Sequence, residues 1–292
     1  MNTKISIIPI LVLAIFLIVP ACGQAERPAL KIVCTTSVLM DPAKYIGGDR
    51  VEAISIADPT LCPHLQTDII PNRIQLNMDF IKNADMFMAY NDSNDQKYNM
   101  PAVNDFIKAN NFKAFEWNTT SNPSRGWNTP TNSRLLASEV KGWLEEKDPA
   151  NKTYYEQRCN DYAKTFDAVE PTESEKKQLN ETAVIVMLWQ KDPVQNWLGM
   201  KVVNFFAPEF AMNGTKTAAK IVDDINANPD KYQNVTYVIE NMQSGELAKG
   251  IEESLKDKGI NATRVIFTNF PGSVPGADTM AEVLNYNKHL VL

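Results

Sequence analysis

The feature that most constrains the fold is an alternation of strand-like and helix-like patterns that runs twice along the chain, once on each side of a helical stretch. In the first series, Leu30-Lys31-Ile32-Val33-Cys34 is a nearly continuous apolar run, the pattern of a buried strand. Thr35-Thr36-Ser37 follow with hydroxyls placed to cap a helix over residues 38–46, which Gly47-Gly48 ends. Period-two apolar positions predict a strand over 51–57, ending in the turn-rich Asp58-Pro59-Thr60 just before Cys62-Pro63-His64. A helix near 74–83, a strand at 86–90, a helix around 102–110 and a short strand near 112–116 complete the series. In the second series, strands are expected at 183–189, 201–206, 235–240 and 262–268. Helices are expected over 192–198, 215–226 and 244–258, with a last one capped near Asp278. Strands alternating with helices imply parallel sheets with right-handed crossovers, whose ligands sit at the carboxyl ends of the strands. Cys34, Thr35 and His64 fall at or just past such ends.

Between the two series, residues 118–132 are rich in Asn, Thr, Ser and Pro and read as a long loop of the functional kind. Helical sequence follows over 133–146. Asp148-Pro149 then form an N-cap and N1 pair for a further helix, whose apolar stripe is Tyr155, Cys159, Tyr162, Phe166 and Val169. Pro171 stops or kinks that helix, and Thr172-Glu173-Ser174-Glu175 can restart it as a capping box. The reading is an α/β chain of two lobes, each a small, mostly parallel sheet flanked by helices. Its parts are an N-terminal lobe over 30–147, a connecting helix over 148–180 and a C-terminal lobe over 181–292.

Residues 1–21 read as a signal peptide, with Lys4 before a largely apolar stretch and small residues leading to Cys22. Val19-Pro20-Ala21-Cys22 resembles a lipobox, which makes Cys22 the expected lipidation site and residues 22–29 a tether. The folded body is then expected outside the cytoplasm, in the periplasm or on the outer cell surface, held to the membrane by lipid. With Cys22 set aside, Cys34, Cys62 and Cys159 remain, an odd number for an oxidising compartment; one disulfide and one free thiol is the simplest outcome. The net charge of −6 and the lack of a basic run argue against nucleic acid as a partner. His64 and His289 are the only histidines, and neither H-E-x-x-H nor G-x-S-x-G occurs, so no enzyme activity is expected.

A set of local motifs carries a family resemblance. They are Cys34-Thr35-Thr36-Ser37, Tyr45-Ile46-Gly47-Gly48-Asp49-Arg50-Val51-Glu52, and Pro63-His64 after the second strand. Further on come Asn83-Ala84-Asp85-Met86, residues 127–132 and 144–155, Gly199-Met200-Lys201-Val202-Val203, Val238-Ile239-Glu240-Asn241-Met242 and the closing 280–292. In order and spacing they resemble the zinc- and manganese-binding lipoproteins that feed ABC importers. The resemblance implies two α/β lobes joined by a long connecting helix, with a cation held in the cleft between them. It also implies an ABC permease and ATPase as partners, a monomer, and zinc, manganese or copper as transported solute, with no catalytic cofactor.

Carried over residue by residue, the family's first histidine falls on His64 and its second on Arg125, two positions before Trp127. The third falls on Gln190, or on Trp189 with a shifted gap, and the closing acidic ligand falls on Asn269. An arginine repels a bare cation, so the conventional donor set is altered. Several readings stay open at this point. Cys34 and Cys62 either form a disulfide, lie as buried thiols, or join His64 in a soft-metal site. Arg125 is either a solvated loop charge or an anion-binding fork, with Gln190 and Asn269 as neutral partners. Trp127 and Trp189 are core or rim aromatics, or stacking surfaces for an anionic or chelated organic solute. Glu240, at a strand end, is a candidate replacement ligand. The rival functions are an adhesin or scaffold with a degenerate cleft, and an enzyme using Cys62 and His64 as nucleophile and base.

Overall fold

The computed structural model describes residues 29–292. The signal peptide, Cys22 and all of the tether but its last residue lie outside the described residues. No helix among those described is long and apolar enough to cross a membrane.

Two four-stranded sheets form the frame, and every strand pair in both is parallel. The first comprises β1 (Leu30–Cys34), β2 (Val51–Ser55), β3 (Met86–Ala89) and β4 (Trp117–Thr119) in the order β2-β1-β3-β4. The second comprises β5 (Ala183–Met187), β6 (Lys201–Phe206), β7 (Val235–Asn241) and β8 (Thr263–Phe267) in the order β6-β5-β7-β8. The two orders are the same, which makes the second lobe a structural repeat of the first. β5 is buried at every position, as a central strand covered on both faces requires.

The helices of the first lobe are α1 (Ser37–Gly47), α2 (Ile69–Leu76), α3 (Met78–Lys82), α4 (Met100–Ala109) and α5 (Pro130–Lys147). They are followed by α6 (Lys152–Thr165), α7 (Glu173–Glu181), α8 (Ala218–Ala227), α9 (Lys249–Asp257) and α10 (Met280–His289). Several expected elements are redrawn. Thr36 is the N-cap residue of α1 but makes no side-chain cap, and the neighbouring hydroxyl of Thr35 donates to Asp95 Oδ2 at 2.8 Å. The helix expected at 74–83 is two short helices broken at Asn77, whose side chain donates to the Arg73 carbonyl at 2.7 Å. The strand expected at 112–116 lies at 117–119. Phe115 stacks on Phe87 with ring centroids 3.6 Å apart, and backbone pairing to β3 begins only at Phe87–Trp117. The helix expected at 192–198 is a single π-helical turn, Pro193–Trp197.

The connecting segment is not one helix. α6 ends before Phe166, and α7 restarts with the capping box expected at Thr172 and Glu175. The stripe Tyr155, Cys159 and Tyr162 of α6, with Phe166 and Val169 just beyond it, is buried in one cluster with α1 and α5. Phe270, Ala277, Met280, Val283 and Leu284 join the same cluster, so the chain returns to the first lobe after β8. The bodies are thus joined twice.

Candidate functional site

Because all strands in each sheet point one way, the loops after their carboxyl ends gather at one edge. The two edges enclose a cleft of about 480 Å³. Its lining follows from that topology: Cys62 and His64 come after β2, Asn91 to Asn94 and Gln96 after β3, and Arg125 to Asn128 after β4. From the second lobe come Trp189 after β5, Phe210 after β6, Asn241 and Gln243 at and after the end of β7, and Asn269 and Phe270 after β8. A larger hollow of about 780 Å³ opens at the amino ends of β3 and β4; its lining contains neither His nor Cys.

The floor is stitched by hydrogen bonds between lobes. The Cys62 N–H donates to the Gln243 carbonyl at 3.2 Å, and Gln243 Nε2 donates to the Pro59 carbonyl at 3.0 Å. Trp127 Nε1 donates to the Asn269 carbonyl at 2.9 Å. Asn128 Nδ2 donates to the Trp189 carbonyl at 3.1 Å and lies 3.4 Å from Asn269 Oδ1. Gln190 is wholly buried beneath this floor and donates to Asn269 Oδ1 at 2.5 Å.

At the wall, His64 Nδ1 lies 2.8 Å from Cys62 Sγ. The His64 ring packs on Phe210 at 4.6 Å between centroids, and Phe210 on Trp189 at 6.1 Å, forming an aromatic ledge. Burial pushes the Cys62 thiol up to about 11, against a lowering hydrogen bond from the His64 backbone and with a further rise from Asp92. Burial lowers His64. Both groups are therefore neutral near pH 7, a thiol beside an imidazole. Asp92 is the single acidic residue of the lining; burial raises its carboxyl although the Asn94 and Asp95 N–H groups donate to Oδ1.

The expected site residues are thus divided. His64, Cys62, Arg125, Trp127, Trp189 and Asn269 line the cleft, with Gln190 just below. Cys34 does not join Cys62 and His64. It is fully buried at the end of β1, burial drives its thiol far above the usual range, and no disulfide forms, since Cys34, Cys62 and Cys159 are all free. Among the described residues no three of His, Cys, Asp and Glu gather as a metal-holding group.

Glu240 is likewise absent from the lining. Its carboxylate accepts the Ala248 N–H at 2.8 Å and pairs with Arg264 at 3.2 Å, while Asn241, one residue on, lines the cleft. Arg125 reaches the cleft without a free charge: its guanidinium donates to Glu139 Oε1 at 2.6 Å. Burial raises the Glu139 carboxyl, but the hydrogen bonds from Arg125 and Ser121 outweigh it and hold the group below the usual range. The solvated-loop reading of Arg125 gives way to this pair, while its Nε lies buried without a hydrogen-bond partner. Asp92, Asn128, Phe210 and Gln243 were not singled out from sequence, yet each follows an expected strand, and strand-end position was the signal that could have found them.

The family model for the periplasmic zinc-uptake complex component A matches residues 32–289. A Streptococcus anginosus protein described as the manganese ABC transporter substrate-binding lipoprotein PsaA is 24% identical over 196 residues. A Streptococcus sanguinis protein described as the metal ABC transporter substrate-binding lipoprotein SsaB is 23% identical over 190 residues. Both alignments cover 59% of this chain, and the chain spans only 61% of each relative's length. The fold is similar to that of a crystal structure described as ZnuA, with a TM-score of 0.64 at 15% identity, covering 90% of this chain and 98% of that one. It is also similar to a manganese-bound periplasmic metal-binding protein from Candidatus Liberibacter asiaticus, with a TM-score of 0.62 at 13% identity over 89% and 97% of the two chains. With the matched span running from β1 to the end of α10, the chain belongs to the family of the periplasmic zinc-uptake complex component A.

Proposed function

We propose that this protein is the extracytoplasmic solute-binding component of an ABC importer, anchored through lipid on Cys22, which captures a metal ion between its lobes as a monomer. It then presents the ion to a membrane permease driven by an ATPase. The observation that carries the reading is the cleft itself, lined by residues at or beyond the carboxyl ends of the strands of two parallel sheets, with His64 on its wall. Family membership and the metal-binding relatives support the same reading. Capture needs no chemistry: donors from the lobes replace water around the solute, and the cation is cargo.

The scaffold reading requires a cleft filled by Trp127 and Trp189, whereas Trp127 packs against Tyr90 and Phe270 and leaves the cavity open. A nucleophilic Cys62 requires a thiolate, and burial favours the neutral thiol. The test is native mass spectrometry with elemental analysis of the full-length chain purified without added metal. One stoichiometric ion, lost in His64→Ala, is expected. A wild type that carries no ion and takes up none of zinc, manganese and copper(I) when they are supplied rejects the proposal.

A further inference from the structure

We infer that the cation this cleft takes is a thiophilic d10 ion of the copper(I) class, held by the Cys62 thiolate and the His64 imidazole, with manganese excluded. The inference rests on the capture function proposed above and names the class of its cargo.

The two donors are brought together by a fixed turn. The Leu65 N–H closes it on the Cys62 carbonyl at 2.9 Å, and the buried Gln66 side chain holds the Asp58 and Leu61 carbonyls at 2.8 and 2.7 Å. Cys62 is fastened to the second lobe through the Gln243 carbonyl. Within this frame Sγ and Nδ1 stand 2.8 Å apart and both residues line the cleft. Metal–sulfur and metal–nitrogen bonds of about 2.3 and 2.0 Å place such donors roughly 3.5 Å apart at a tetrahedral angle and about 4.3 Å apart in a line. The contact must therefore open by about 0.7 Å for the tetrahedral angle or about 1.5 Å for the line as the ion enters, which the half-buried His64 ring allows by swinging on its Phe210 neighbour. The thiol proton leaves to solvent as the sulfur binds.

Donor chemistry then selects the ion. Manganese is a six-coordinate ion that favours carboxylate, carbonyl and water, whereas thiolate with imidazole suits copper(I) and zinc. The cleft offers one carboxylate, Asp92, one of whose oxygens already accepts two backbone N–H groups. The rest of the polar lining is largely amide, as in Asn128, Asn241 and Asn269. A monovalent ion on one thiolate is neutral, and Arg125 is already balanced by Glu139, so loading adds no unpaired charge to a half-buried site. Of the described cysteines, Cys34 and Cys159 are buried, which leaves Cys62 as the thiol that meets the cleft.

The test uses the full-length chain in nitrate buffer, with silver nitrate as a redox-inert probe and manganese nitrate as the competitor. The readouts are native mass spectrometry and the rate of Cys62 alkylation by iodoacetamide, located by peptide mapping. One equivalent of silver is expected to slow alkylation at least tenfold, and a hundredfold excess of manganese to change it less than twofold. Silver binds any accessible thiol, so His64→Gln is decisive: it should require at least tenfold more silver for the same protection, with an unchanged circular dichroism spectrum. Equal protection in His64→Gln overturns the inference. Manganese bound at one equivalent in both wild type and Cys62→Ser also overturns it, while leaving the capture function standing. If the wild type binds no metal of any kind, the capture function fails and the inference falls with it.

Discussion

Arg125 faces the cleft with its charge already spent, and that single fact changes what the site can hold. The Arg125 and Glu139 side chains are only 17% and 19% exposed, and Ser121 donates twice to the same carboxylate, at 2.7 and 2.9 Å. The sequence placed Arg125 in the right loop, but its partner sits on α5, and nothing local marks Glu139 rather than another acid as the match. Glu240 shows the complementary difficulty. Alternate residues of a strand face opposite sides, so one step of parity decides whether β7 gives the cleft an acid or an amide, and the fold gives it Asn241. We predict that Arg125→Ala and Glu139→Ala each destabilise the protein in urea, and that the double variant loses less than the sum. The expected coupling is about 1.5–3 kcal/mol, the range for hydrogen bonds to charged groups. Additive losses would show that the pair contributes no more than two separate surface charges.

Elements were most legible where their ends are written in local chemistry. The capping box of α7 could be read from Thr172 and Glu175, because each side chain satisfies a backbone N–H of the other's residue: Thr172 N–H to Glu175 Oε2 at 2.6 Å, and Glu175 N–H to Thr172 Oγ1 at 3.3 Å. Central strands such as β5 could be read because burial on both faces demands an unbroken apolar run. The start of β4 could not, since it is set by the stacking of Phe115 and the edge contact of Trp117 on Phe87, a partner in another strand. The break between α6 and α7 matters to function because it is one of the two places where the chain crosses between lobes. Glu175 also pairs with the buried Lys288 of α10 at 3.5 Å, so the cap ties the restart to the second crossing. Thr172→Ala should cost about 1 kcal/mol and lower the melting temperature by roughly 2–4 °C, while Thr172→Asp restores most of it. A melting curve unchanged by Thr172→Ala would mean that packing alone holds α7 in place.

At the scale of the whole molecule, one buried carboxylate ties the returning end of the chain to the first lobe. Asp41 on α1 accepts the Tyr162 hydroxyl of α6 at 2.6 Å and the Met280 N–H at the start of α10 at 2.7 Å, joining three elements around the twofold connection. Met280 lies 239 residues beyond Asp41, which is why no local pattern announced the return of the chain to the first lobe. Burial raises the Asp41 carboxyl from 3.8 to about 6, against the lowering effect of its Tyr162 and Met280 hydrogen bonds; Glu282 adds to the rise and Lys44 opposes it. Because the folded value lies above the unfolded one, the folded state binds more protons between about pH 4 and pH 6. Stability from this group is complete below the lower value and is lost as pH rises through the upper one. Asp95, which links the end of β1 to the loop after β3, is raised to about 6 by burial and by Asp92 and acts in the same direction. Carboxylates held low, such as Asp224 at about 2, act only at more acid pH. Urea unfolding from pH 4 to pH 7 should therefore show a component that weakens with rising pH, by up to about 1.4 kcal/mol per pH unit for each of the two groups. Asp41→Asn, which keeps an acceptor for both Tyr162 and Met280, should remove one of these components and leave that of Asp95. If wild type and Asp41→Asn lose stability in parallel across this range, the carboxylate is already ionised in the fold and the junction of α1, α6 and α10 is insensitive to pH.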